Sequence, residues 1–125
     1  MQDEQYQRGL ATRRAVMGDP LVDRALAGTT PFTQPMQDHI SRAAWGDVWQ
    51  RQGLDRKTRS LVTVAMLTSL GKQHELKGHV RGALNNGATV EEIQEVLLQA
   101  AVYCGVPTAV EAFRSAAEVV EPPAA

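Results

Sequence analysis

The sequence has almost none of the cysteine that disulfide or thiol-redox chemistry requires. Its 125 residues contain one cysteine, Cys104, so neither an intrachain disulfide nor a CxxC redox pair can form. A lone thiol is typical of a reducing compartment. The first six residues are polar and acidic, without a positively charged segment that precedes an apolar one, so no signal peptide is predicted. We therefore expect a cytoplasmic protein.

Long apolar runs and an excess of one charge are also missing. The longest nearly apolar run, residues 61–67, is interrupted by Thr63 and is far shorter than the ~20 residues of a membrane-spanning helix. The net charge is -1, whereas a nucleic-acid-binding domain would carry a basic stripe. The sequence thus predicts contact with neither a membrane nor nucleic acid. Two short basic clusters, expected to be solvated helix faces or small-anion contacts, are Arg13 with Arg14 and Arg56 with Lys57 and Arg59.

Apolar residues at helical spacing are what the sequence does contain. Hydrophobic residues make up 43% and charged residues 22%, as in folded soluble proteins. A chain of this length supports one domain, expected over residues 1–125 with a core of about 6–120. Glycine and proline breaks separate the helical stretches, and no alternating strand pattern stands out, so the predicted fold class is all-α. The predicted helices cover about 6–17, 20–27, 35–50, 55–70, 72–85, 90–104 and 107–120, with Pro122 and Pro123 in a frayed tail.

The stretch 55–70 is apolar on nearly every side. A helix of this kind requires complete burial, and one layer of so small a chain can hardly cover it. Burial in an oligomer is one explanation, and a well-covered monomer core is the other. The apolar residues of this stretch are Leu61, Val62, Val64, Ala65, Met66, Leu67 and Leu70.

The predicted helix 72–85 carries the strongest candidate for chemistry. His79 lies at the edge of an apolar stripe centred on Leu76 and Val80, and Glu75 lies just beyond it. Since residues four apart meet on a helix surface, the Glu75 carboxylate can hydrogen-bond one imidazole nitrogen and leave the other as an acid or base near neutral pH. The alternative is an ordinary surface pair at the rim of a core helix. A metal site is not indicated, because this pair supplies only two ligands and His74 does not converge with His79.

A capping box is predicted where the helix 90–104 begins. The run 85–87, Asn-Asn-Gly, ends the preceding helix because both residue types tolerate a left-handed cap. Thr89 and Glu92 stand three residues apart, so that their side chains can accept from free backbone N–H groups. Cys104 completes the apolar face of this helix. It is either a buried inert thiol or a nucleophile that requires an activating base.

Aromatic and arginine side chains supply the remaining candidates. Trp45 and Trp49, four residues apart, are core or interface anchors or, alternatively, substrate stackers. Tyr103 is turned off the main apolar stripe of its helix and can line a pocket. Guanidinium groups bind carboxylates through two parallel hydrogen bonds, although any single arginine can equally be solvated. The candidates for this role are Arg56, Arg59 and Arg81.

Several separate segments, spread over about residues 6–116, form one ordered pattern. They are Arg13-Arg-Ala-Val-Met-Gly-Asp19, Thr30-Pro-Phe32, Ala44-Trp-Gly46, Gly53-Leu-Asp-Arg-Lys-Thr-Arg-Ser60, His79-Val-Arg-Gly-Ala-Leu84, Asn86-Gly87 and Ala101-Val-Tyr-Cys-Gly-Val-Pro107. In order and spacing these segments closely resemble the carboxymuconolactone decarboxylase family. The resemblance covers almost the whole chain.

The resemblance implies a fold, an activity and a site. The fold is that of alkyl hydroperoxidase D-like proteins, whose all-helical subunits assemble into a ring, usually a homohexamer. The implied activity is that of a carboxy-lyase, which converts 4-carboxymuconolactone to 3-oxoadipate enol-lactone in the protocatechuate branch of the β-ketoadipate pathway. Peroxidatic relatives in the superfamily carry CxxC and a histidine four residues later. Lys72 and Glu75 stand at those cysteine positions relative to His79, so peroxidase chemistry is contradicted and Glu75 and His79 inherit the site.

The implied reaction gives each candidate a role. The departing carboxylate is vinylogous to the lactone carbonyl, so the substrate itself delocalises the electrons as a dienolate and no cofactor is expected. His79 would deliver a proton to the carbon α to the carbonyl, and Glu75 would set its tautomer and pKa. The substrate-binding candidates are Arg59 and Arg81 for a carboxylate of the dianion, one of them from a neighbouring subunit, and Trp45 and Tyr103 for the lactone.

Two other functions are compatible with the sequence. A paralogue of the same fold would be folded and oligomeric but would act on another small carboxylic acid. A non-catalytic assembly protein would tolerate the loss of both Glu75 and His79. Activity toward the lactone separates the first alternative from the proposed reaction, and substitution of the two residues separates the second.

Overall fold

Helices make up all the regular structure of residues 3–121, the part of the chain that the computed structural model describes. They are α1 (Glu4–Met17), α2 (Asp19–Ala27), α3 (Gln34–His39), a π-helix (Ile40–Trp45), a 3₁₀-helix (Val48–Gln50), α4 (Arg56–Leu70), α5 (Gln73–Asn85), α6 (Val90–Cys104) and α7 (Val106–Val120). No strand occurs in this part of the chain, which confirms the all-α class. Pro122 and Pro123, predicted in a frayed tail, lie outside it.

The chain divides into two compact units with separate cores. Unit 1 is Met1–Arg56 and unit 2 is Lys57–Ala125, so the single domain expected over residues 1–125 stays a prediction. In unit 1, α1 packs on α2 and on the π-helix, around Val16, Met17, Val22, Trp45 and Trp49. In unit 2, α7 packs on α5 and α6, around Val64, Leu76, Val80, Ala83, Ala88, Ile93, Leu97, Ala112 and Ala116.

The predicted helix 35–50 is wrong in its second half. The α-helical hydrogen bonds end at His39, and the chain continues as a π-helix and then a 3₁₀-helix. This irregular segment lies against α1, where Gly9 approaches the backbone of Ser41 and Gly46 so closely that no Cβ would fit. Such a long-range contact overrides the local helical pattern, which α-helical spacing alone cannot reveal.

Trp45 and Trp49 are the anchors of the core of unit 1. Their rings stack with centroids 4.6 Å apart, and both side chains are buried. This confirms the interpretation of the two residues as core anchors.

The capping box at the start of α6 is confirmed. The Thr89 hydroxyl accepts from the backbone N–H of Glu92 (3.0 Å), and the Glu92 carboxylate accepts from the backbone N–H of Thr89 (2.9 Å). The same carboxylate forms an ion pair with Lys57 at 2.8 Å. These contacts and the backbone N–H of Thr89 lower the pKa of Glu92, the hydrogen bond from Lys57 having the largest effect.

Replacing Thr89 by alanine is expected to lower the free energy of unfolding by about 1 kcal/mol, because one backbone N–H of the first turn loses its acceptor. Denaturant-induced unfolding followed by circular dichroism measures the change. Thr89→Ser keeps the hydroxyl and serves as the control. An equal loss in both variants would show that the methyl group, and not the cap, accounts for the effect.

Helix α4 is not fully covered in the single chain. Ser60, Val64 and Thr68 are buried, but Met66 is 59% and Leu70 66% exposed. The alternative of a well-covered monomer core is therefore wrong for this helix, since one of its faces stays open to solvent. In the described part of the chain, every helix is too short or too polar to span a bilayer.

Candidate active site

Helix α5 places three of the candidate residues at different depths. Leu76 and Val80 are fully buried, His79 is partly buried, and Glu75 and Arg81 are exposed. These positions agree with the helical wheel, in which His79 forms the rim of the apolar stripe and Arg81 lies on the opposite side. His79 is therefore partly sheltered in unit 2, whereas Glu75, one helical turn before it, is exposed to solvent.

One ring nitrogen of His79 is buried. This atom, Nδ1, makes no hydrogen bond within residues 3–121, although the residue is engaged in another interaction. The expected hydrogen bond from His79 to the Glu75 carboxylate is consequently not formed at Nδ1.

The start of α4 is fixed at two points within unit 2. The Asn86 amide, just after α5, donates to the Ser60 hydroxyl over 2.9 Å, and Lys57 pairs with Glu92 at the start of α6. Arg59 lies between these two tethers and is partly buried. The sequence indicated Arg59 as a candidate, but it gave no signal for the Ser60–Asn86 hydrogen bond, which joins residues 26 apart.

A groove of about 480 Å³ runs between α4 and α6. Its walls are mostly apolar, and Tyr103 and Cys104 lie at one end. Of the two interpretations of Cys104, the buried inert thiol is wrong, since the thiol is exposed. Gly105, with a φ of 103°, ends α6 directly after the cysteine. The lining residues are Thr58, Leu61, Val62, Ala65, Glu95, Val96, Gln99, Ala100, Tyr103 and Cys104.

This groove does not join the predicted site residues. Tyr103 lines it, but Glu75, His79, Arg59 and Arg81 do not. Trp45 belongs to unit 1, where only 4% of the residue is exposed. Apolar walls and the Glu95 carboxylate also make the groove a poor receptor for a dianion. Among the described residues, no three His, Cys, Asp or Glu side chains are grouped as metal ligands.

The sequence indicated only one of the two residues that form a polar pair in unit 1. The Arg13 guanidinium donates to the Gln37 side-chain oxygen over 2.9 Å. The Arg13–Arg14 doublet indicated a small-anion contact as one of two interpretations. Gln37 gave no signal, because its partner lies 24 residues earlier in the chain.

The helices of residues 3–121 make this an all-α protein, as the sequence predicted. The chain belongs to the carboxymuconolactone decarboxylase family, whose sequence profile matches residues 34–118. This confirms the resemblance.

Two relatives are similar over most of their length. The 4-carboxymuconolactone decarboxylase of Acinetobacter baylyi is 47% identical over 120 residues, which are 95% of this chain and 90% of the relative. The nitrosuccinic acid decarboxylase of Metarhizium robertsii is 50% identical over 108 residues, 86% of this chain and 76% of the relative.

Proposed function

We propose that the protein is a carboxy-lyase that converts 4-carboxymuconolactone to 3-oxoadipate enol-lactone and carbon dioxide, in the protocatechuate branch of the β-ketoadipate pathway. The observation that carries the proposal is the 47% identity, over 95% of the chain, to a decarboxylase named for this substrate. The reaction belongs in the cytoplasm, where a lone exposed thiol such as Cys104 stays reduced.

The substrate supplies the electron sink for this reaction. The bond between the ring carbon and the departing carboxylate breaks, and its electron pair moves through the ring double bond to the lactone carbonyl oxygen. The resulting dienolate takes one proton at the carbon α to the carbonyl. The protein has to orient a dianion, stabilise the enolate oxygen and deliver that proton, so no electron-accepting cofactor is needed.

We assign the proton delivery to the imidazole of His79. Imidazole is the side chain best suited to exchange a proton near neutral pH, and His79 is partly buried beside the fully buried Val80. Glu75, one helical turn before it, favours the protonated ring through its negative charge. Arg59, partly buried on α4, holds a substrate carboxylate in the same unit.

Assembly into a ring-shaped homo-oligomer, a hexamer as the family resemblance implies, is the second part of the proposal. Apolar side chains are exposed along three helices of unit 2, and the groove between α4 and α6 adds to that surface. An exposed apolar surface of this extent is typical of a protein interface. A neighbouring subunit would also bring Arg81 to the substrate. The exposed apolar residues are Val62, Met66 and Leu70 on α4, Leu98, Val102 and Tyr103 on α6, and Val106 and Val110 on α7.

Val102→Glu is expected to reduce the assembly to smaller species, because Val102 is 77% exposed in the single chain and a carboxylate buried in an apolar interface is costly. Sedimentation velocity measures the mass. Ala11→Glu adds the same charge at an exposed position of α1 and should leave the mass unchanged. A wild-type monomer, or an unchanged mass in Val102→Glu, would contradict the proposed interface.

Decarboxylation of nitrosuccinate is a second candidate, favoured by the 50% identity to a nitrosuccinic acid decarboxylase. A nitro group on the carbon that loses the carboxylate accepts the electron pair as a nitronate, which again needs only a proton. Comparison of kcat/KM for both substrates decides between the candidates. The proposal predicts the larger value for 4-carboxymuconolactone, and a larger value for nitrosuccinate would overturn it.

A further inference from the structure

Arg13 carries a charge that no acidic residue among residues 3–121 compensates. It lies on α1, partly buried in unit 1, and burial lowers the pKa of its guanidinium. An arginine nevertheless stays charged at neutral pH. Within residues 3–121 its side chain makes one hydrogen bond, to the neutral amide of Gln37, and no carboxylate lies within ion-pair distance.

Two other arginines of unit 1, Arg14 and Arg42, are paired with acidic residues. Arg14, the next residue, binds Asp19 at 3.0 Å and Asp23 at 2.8 Å. Arg42 binds Asp3 at 2.9 Å. A partly desolvated cation without such a partner is unfavourable, and an anion that binds it recovers the lost interaction energy.

Arg13 and Gln37 together present several hydrogen-bond donors. The Gln37 oxygen is occupied by Nη1 of Arg13, which leaves the two N–H groups of its amide nitrogen. Arg13 keeps Nε and Nη2, the edge of the guanidinium that matches a planar carboxylate with two parallel hydrogen bonds. This donor set is suited to one carboxylate group.

We propose that Arg13 and Gln37 bind the carboxylate group of a small carboxylate ligand. The guanidinium and the amide N–H groups hold that carboxylate by charge-assisted hydrogen bonds. Both residues belong to unit 1, so this site does not depend on the proposed reaction.

Gln37→Glu is the most selective test, because it places a carboxylate beside Arg13 with almost no change of shape. Titration calorimetry with succinate, a stable dicarboxylate, measures binding. We expect Gln37→Glu to weaken succinate binding about 10- to 100-fold, since the internal carboxylate occupies the guanidinium, without lowering the melting temperature. Arg13→Lys keeps the charge but loses the planar edge and should weaken binding about tenfold. Ala11→Glu controls for net charge.

Succinate affinity that is absent in the wild type, or unchanged in both Gln37→Glu and Arg13→Lys, would overturn the site. A change of assembly mass in Gln37→Glu with unchanged succinate affinity would also overturn it, because an acidic side chain of a second copy would then be the ligand. Binding does not depend on turnover. Succinate binding that requires Arg13, in a protein inert toward the lactone, would retain the site and reject the proposed reaction.

Discussion

His79→Ala is expected to lower kcat for 4-carboxymuconolactone by about 10²- to 10⁴-fold, the usual contribution of a positioned general acid. The loss follows because the dienolate must then take its proton from water. Glu75→Gln removes only the charge that favours the protonated imidazole, so a loss of about tenfold is expected. Initial rates of enol-lactone formation, with circular dichroism and sedimentation velocity on each variant, measure both effects.

His74→Ala is the matched control for this experiment. His74 lies on the same helix and is exposed, so its loss should leave kcat within about twofold, as is usual for a surface substitution away from the site. Near-normal turnover by His79→Ala with an intact assembly would remove the histidine from the mechanism. Equal losses in His74→Ala and His79→Ala would point to a general effect on α5 instead.

Gly9→Ala is expected to destabilise unit 1 by about 3 kcal/mol or to prevent its folding. The new Cβ would overlap the Ser41 carbonyl oxygen and lie 2.7 Å from the Gly46 nitrogen. Both are backbone atoms, which cannot rotate away as a side chain can. The chain has two tryptophans, and Trp45 and Trp49 both lie in the core of this unit, so tryptophan fluorescence during denaturant unfolding reports its stability.

Gly28→Ala is the control for the loss of a glycine. Its Cβ would meet only ordinary contacts, the nearest at 3.5 Å, and its backbone φ of -81° suits any residue. Its stability should stay within about 0.5 kcal/mol of the wild type. A Gly9→Ala variant as stable as Gly28→Ala would contradict the close contact between α1 and the π-helix.

Local patterns in the sequence were sufficient for most of unit 2. The predicted bounds of α6 agree with the structure, because a capping box and a glycine stop define that helix without help from distant residues. The helical wheel likewise placed His79 at the rim of the core, since the buried stripe on α5 is regular.

Features that depend on contacts between distant residues could not be predicted in this way. The π-helix forms where α1 approaches at Gly9, which is 32 residues before Ser41 in the chain. The doublet Arg13–Arg14 looks uniform in the sequence, but only the fold shows that Arg14 binds two carboxylates and Arg13 binds an amide.

The central claim is that the protein decarboxylates 4-carboxymuconolactone with its own side chains, without a metal ion or an organic cofactor. The most direct test incubates chelator-treated, dialysed protein with freshly generated lactone in deuterated water. The account predicts one carbon dioxide released per lactone consumed, and an enol-lactone with one deuterium at the carbon α to the carbonyl. Carbon dioxide release no faster than without protein, or release only after a metal ion or organic cofactor is added, would contradict it.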